Sequence, residues 1–83
     1  METGKNKIED IRNILSELWK KALELERVPE LDQNFFDLGG NSFKAFFVVE
    51  NLPSEYKSKI ELTDFYDCDT LEEMVQNIAE RFA

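Results

Sequence analysis

Between residues 8 and 25 the apolar residues Ile8, Ile11, Leu15, Leu18, Ala22 and Leu25 fall at steps of 3, 4, 3, 4 and 3. Only an α-helix lays such a series along one side. Ile14 and Trp19 widen the stripe, while Glu9, Arg12, Asn13, Glu17, Lys20 and Glu24 take the other face. The spacing predicts a helix over residues 7–25. Pro29 stops it from running on, because the residue before a proline avoids helical angles. Residues 1–6 are polar and are expected to form a flexible N-terminus.

A second series, Leu71, Met74, Val75, Ile78, Ala79 and Phe82, predicts a helix over 71–82. Thr70 and Glu73 have capping-box spacing, and Asp67, Asp69, Glu72 and Glu73 put negative charge at the positive end of the helix dipole. Residues 26–41, with Pro29, Asp32, Asn34 and the pair Gly39-Gly40, read as a loop. That loop also holds Leu31, Phe35, Phe36 and Leu38, and at least some of these are expected to plug into the helical core. The next helix, about 42–51, starts at Asn41 or Ser42 and is limited by Pro53. It is apolar on two sides. Ala45, Val48, Val49 and Leu52 form one stripe; Phe43, Phe46 and Phe47 form another, about 200° around the axis. One stripe can face the core, and the other must be sandwiched or offered to a partner. Residues 53–59 read as a polar connection, and Ile60, Leu62, Phe65 and Tyr66 suggest a short third helix over about 60–66. No segment alternates as a strand would. The expected fold is all-α, a small four-helix bundle with a long loop between helices 1 and 2 and a short third helix, formed by residues 7–83.

The 83 residues leave room for one domain, and that size favours a binding or carrier module over a stand-alone enzyme. With 18 acidic and 10 basic residues the formal charge is −8, which argues against nucleic acid and could steer basic partners. The longest apolar run, Ala45 to Val49, falls far short of the roughly 20 residues that span a bilayer. No apolar stretch follows Met1 as in a signal peptide, so the expected location is cytoplasmic and away from membranes. Histidine is absent, which removes Ser-His-Asp and Cys-His catalysis and most zinc sites. A calcium loop begun at Asp32 fails, with Phe36, Asp37 and Phe43 at positions 5, 6 and 12, and no metal is expected. Cys68 cannot form an internal disulfide, and Asp67 and Asp69 beside it oppose a thiolate, so it reads as a plain loop cysteine.

The junction Gly39-Gly40-Asn41-Ser42 is where chemistry concentrates. Two glycines permit positive φ angles or close passage of the backbone. A serine at a helix start sits where unpaired N–H groups favour an anion, so its hydroxyl is well placed to carry a phosphate ester. Serine and asparagine are also ordinary N-caps, and the lysine of a phosphate-binding loop is missing. The physical features alone leave both roles open.

The segment Asn34-Phe35-Phe36-Asp37-Leu38-Gly39-Gly40-Asn41-Ser42-Phe43-Lys44-Ala45 resembles the core motif of the thiolation, or peptidyl carrier, domains of nonribosomal peptide synthetases. That motif runs roughly Asn/Asp-x-Phe-Phe-x-Leu-Gly-Gly-His/Asp-Ser-Leu/Ile-x-Ala. Leu18-Trp19-Lys20-Lys21-Ala22-Leu23 is similar to the family's Trp-containing first helix, and Phe65 to Leu71 stands where the family has Phe-x-x-Pro-Thr-Leu. The resemblance implies an acyl-carrier-like bundle that performs no reaction itself. It implies 4′-phosphopantetheine on Ser42, donated by coenzyme A through a phosphopantetheinyl transferase with Mg²⁺, with Gly39, Gly40 and Asn41 forming the attachment turn. It further implies aminoacyl or peptidyl thioesters passed among adenylation, condensation and thioesterase or tailoring domains by a monomeric carrier. Phe43 and Phe46 fall on the side that meets partners, and Phe47, often polar in this family, either widens that surface or touches the loop and is partly buried. Asn41 replaces the usual His or Asp, Asp69 replaces proline, and Pro53 can shorten the second helix. Two other readings stand beside this one: an acyl carrier of polyketide or fatty-acid type, and an unmodified helical adaptor docking through Phe43, Phe46 and Phe47.

Overall fold

The computed structural model describes the backbone of residues 3–82 and the side chains of residues 7–82. Five helices follow in order: α1 (Thr3–Leu23), α2 (Ser42–Glu50), α3 (Ser54–Lys57), α4 (Asp64–Asp67) and α5 (Leu71–Arg81). There is no strand among the described residues. The architecture is all-α, with α1 packed against both α2 and α5.

The apolar stripes explain that packing. Ile11, Leu15, Leu18, Trp19 and Ala22 of α1 are buried against Leu71, Met74, Val75 and Ile78 of α5 and Ala45 and Val48 of α2. Phe35 from the long loop and Phe65 from α4 complete the centre. Their rings lie edge-on to each other at 4.8 Å between centroids, and Phe35 meets Trp19 at 5.0 Å.

Several boundaries depart from the expectation, among them the end of α5, which stops at Arg81 with Phe82 as its cap. Helix α1 begins at Thr3, inside the stretch expected to be flexible; Met1 and Glu2 lie outside the described residues. An apolar stripe marks where a helix packs, and its polar first turn can precede the stripe. At the other end α1 stops at Leu23. Glu24 takes a left-handed φ of 57°, Leu25 N–H donates to Lys20 O at 3.0 Å, and Glu24 N–H donates to Lys21 O at 3.3 Å. This is the Schellman ending, with Leu25 supplying its apolar contact, so the last member of the stripe packs beyond the helix. Helix α2 ends at Glu50, where Asn51 caps it. The short helix expected over 60–66 is confined to α4, 64–67, and the expected connection 53–59 holds a second one-turn helix, α3. Pro53 opens α3, its carbonyl accepting from Tyr56 and Lys57 N–H, and buried Tyr56 pins that turn to the core. One apolar residue in a polar stretch shows no period, which is why 53–59 read as a connection.

Helix α4 is fastened to the end of α5 by one ion pair. Arg81 donates to both Asp64 oxygens, at 2.7 and 2.8 Å, and Glu61 N–H adds a third bond at 2.7 Å. Asp64 is the one buried charged residue among the described residues. The Arg81 hydrogen bonds hold its carboxyl below the ordinary value of 3.8, aided by the Glu61 N–H and opposed by burial. A lowered carboxyl stabilises the fold fully above its unfolded value and loses that stabilisation as pH falls through the folded one. Asp64→Asn is expected to cost about 1–3 kcal/mol at neutral pH. Its urea midpoint should also fall less than that of the natural chain on acidification below about pH 4.

Candidate functional site

The turn before α2 is built by Asn34. Its Oδ1 accepts from Phe36 N–H at 2.8 Å and Asp37 N–H at 3.0 Å, while its Nδ2 donates to Asp69 O at 2.6 Å. Leu38, Gly39 and Gly40 N–H then donate to the carbonyls of Asn34, Phe36 and Phe35. The loop is also joined to α5. Leu71 N–H donates to Gln33 O and Glu72 N–H to Leu31 O, both at 3.0 Å. Thr70 Oγ1 takes Glu73 N–H, and the Glu73 carboxylate takes Asp69 N–H at 2.7 Å, one residue before the reciprocal partner of an ordinary capping box. Four donors at the head of α5 are thereby satisfied, two of them by a loop nearly forty residues upstream.

The two glycines do different things. Gly39 has φ 101°, a conformation that side chains rarely adopt. Gly40 lies against Phe35, where an added Cβ would stand 2.7 Å from the Phe35 carbonyl oxygen and overlap its ring. Gly40→Ala is expected to cost about 1–3 kcal/mol through overpacking, seen as a lower urea midpoint.

Asn41 is the N-cap of α2: it has extended angles, and its Oδ1 accepts from Lys44 N–H at 2.9 Å. Ser42 is therefore the first helical residue, and it is exposed. Among the described residues its hydroxyl makes no hydrogen bond, so the ordinary capping role falls to its neighbour. The N–H groups of Ser42 and Phe43 have no acceptor among the described residues, and the first turn, Ser42-Phe43-Lys44-Ala45, carries no carboxylate. An exposed hydroxyl beside open N–H donors at a positive helix end fits a phosphate ester. The surrounding residues thus suit a phosphodiester-linked group.

The two stripes of α2 separate as expected. Ala45 and Val48 are fully buried, Leu52 is buried just beyond the helix, and Val49 is half-buried. Phe43 is 86% exposed, Phe46 54% and Phe47 40%. Of the loop residues, Phe35 enters the core, Phe36 and Leu38 pack at its edge, and Leu31 stays exposed. Phe36 stacks on Tyr66 of α4 at 4.9 Å, an aromatic pair the residue spacing gave no sign of. Cys68 is buried, and burial pushes its thiol up, against a hydrogen bond from Asn77 at 3.1 Å. The plain loop cysteine of the sequence reading is thus a packed thiol, which its acidic neighbours did not announce. No group of residues able to hold a metal ion occurs among the described residues, and no described helix is long and apolar enough to cross a membrane.

A small helical domain that fixes a turn to its core and presents an exposed serine hydroxyl at a helix start suits a covalently linked group. The chain belongs to the family described as phosphopantetheine attachment site, which it matches over residues 13–78. Members of that family carry covalently attached 4′-phosphopantetheine. Among curated proteins it is similar to gramicidin S synthase 2 of Brevibacillus brevis, with 31% identity over 86% of this chain. It is also similar to tyrocidine synthase 1 of Brevibacillus parabrevis, with 35% identity over 78%, and to gramicidin S synthase 1 of Brevibacillus brevis, with 34% over 95%. The chain spans only 2%, 6% and 7% of those three proteins. No solved structure matches it.

Proposed function

We propose that the chain is a peptidyl carrier domain of nonribosomal peptide synthesis and that Ser42 is its attachment residue. The observation that carries this reading is the division of labour at the head of α2: Asn41 caps, so the exposed Ser42 hydroxyl is left for chemistry. The synthases it is similar to support the peptide branch over the polyketide or fatty-acid one.

In this reading the Ser42 oxygen forms the new P–O bond as the pyrophosphate linkage of coenzyme A breaks, adenosine 3′,5′-bisphosphate leaving and the serine proton passing to the transferase. Gly39 and Gly40 let the turn lie flat on Phe35, so the hydroxyl is presented from a rigid base. The open N–H groups of Ser42 and Phe43 then face the phosphodiester's negative charge. Once attached, the group supplies an arm whose thiol holds an aminoacyl or peptidyl unit as a thioester. The domain itself catalyses nothing; it works as a cytoplasmic monomer that meets adenylation, condensation and thioesterase or tailoring domains in turn.

Phe43, Phe46 and Phe47 are the surface those partners meet. Phe43→Ala is expected to change stability by no more than about 0.5 kcal/mol while slowing loading by an adenylation partner. A collapse of its thermal transition would show that the ring packs instead of docking.

The reading is tested by incubating the protein with coenzyme A, Mg²⁺ and a broad-specificity phosphopantetheinyl transferase and recording the intact mass. A gain of one phosphopantetheine is expected. No gain with several transferases, on folded protein, would leave the unmodified adaptor as the better account.

A further inference from the structure

We propose that Lys44 is a positioning residue that pairs with the phosphodiester on Ser42, an inference that rests on the reading above. Lys44 is the only lysine or arginine between Arg27 and Lys57 in the chain. Bonds from Cα to Cβ tilt toward the start of a helix. The Lys44 side chain accordingly runs back over the first turn of α2, and its Nζ donates to the Gly39 carbonyl at 3.4 Å. That bond is long and its acceptor neutral, so it is easily exchanged for a better one.

No carboxylate pairs with Lys44 among the described residues; the ion pairs there belong to Arg12, Lys57 and Arg81. This is notable in a chain with a formal charge of −8. A phosphodiester on Ser42 adds one more negative charge to this already acidic chain. The open N–H groups meet it only as dipoles, whereas an ammonium forms the shorter, stronger, charge-assisted bond. Lys44 leaves Gly39 for the phosphate and holds the root of the arm against the Gly39–Asn41 turn.

The test uses holo protein prepared with coenzyme A and the transferase, as natural chain, Lys44→Met, Lys44→Gln and Lys44→Arg. Lys44→Gln keeps a donor for Gly39 and guards against a loss of fold in Lys44→Met. The readout is the ³¹P resonance of the phosphodiester at low and high salt, since salt screens an exposed pair. The natural chain and Lys44→Arg should show a resonance that moves with salt; in Lys44→Met and Lys44→Gln that movement should be lost. Identical resonances and salt responses in all four, with the added mass present, would overturn the pairing alone. An inability of folded Lys44→Met and Lys44→Gln to take the arm would also overturn it, by placing Lys44 in transferase recognition. An unchanged mass in the natural chain would overturn the carrier reading and the pairing with it.

Discussion

Ser42→Ala should abolish the gain in mass completely and leave the melting temperature where it is. The hydroxyl is the only part of Ser42 that alanine removes, and among the described residues it makes no hydrogen bond whose loss could weaken the fold. Alanine is the best helix former, and the first helical position accepts it freely. Asn41→Ala should behave in the opposite way. It removes the acceptor for Lys44 N–H and should cost about 1 kcal/mol, a fall of about 4–8 °C for a domain of this size. It retains the serine and so should still gain the mass. The pair therefore separates chemistry from capping at adjacent residues. A full mass gain in Ser42→Ala would move the attachment to another serine, with Ser16, Ser54 and Ser58 the others to test. A stability loss confined to Ser42→Ala would reverse the assignment of the cap.

The largest effect on stability should come from Phe35→Ala, at about 3–5 kcal/mol. A domain of this length has only about 4–12 kcal/mol in total, so the urea midpoint should drop to a fraction of its natural value. The ring is 2% exposed and meets Trp19, Phe36 and Phe65 edge-on, at 5.0, 5.6 and 4.8 Å. It is also the floor on which Gly40 rests. Its loss should therefore loosen the turn before Ser42 as well as the core, read as faster exchange of the Gly40 amide, which bonds Phe35 O. Phe43 is the control, a phenylalanine of the same size that faces water. Equal costs for Phe35→Ala and Phe43→Ala would mean that the ring does not tether the loop.

The sequence made some of these features plain because they repeat. The stripes of α1 and α5 recur often enough to declare a period, and the two faces of α2 separate on spacing alone. The resemblance carried by Asn34 to Ala45 pointed to the serine that the structure leaves exposed. Single residues and long-range bonds declare nothing. Tyr56 anchors α3 with no periodic neighbour. The left-handed turn at the end of α1 falls on Glu24, where a glycine would have signalled it. Asn41 and Ser42 are both good caps, and only the geometry of the turn decides between them. The loop's bonds to Leu71 and Glu72 depend on backbone groups, which every residue has, so no side chain announces them.

Those bonds also bear on the order of events as the chain leaves the ribosome. The carbonyls of Leu31 and Gln33 find their donors only when Leu71 and Glu72 have been made, and Asn34 likewise waits for Asp69. Contacts this far apart in sequence close late. A nascent or prematurely terminated chain can wind α1 and still lack what steadies the turn before Ser42. If Ser42 is the attachment residue proposed above, readiness for modification arrives with α5, and a transferase that demands an ordered turn would pass over chains that lack it.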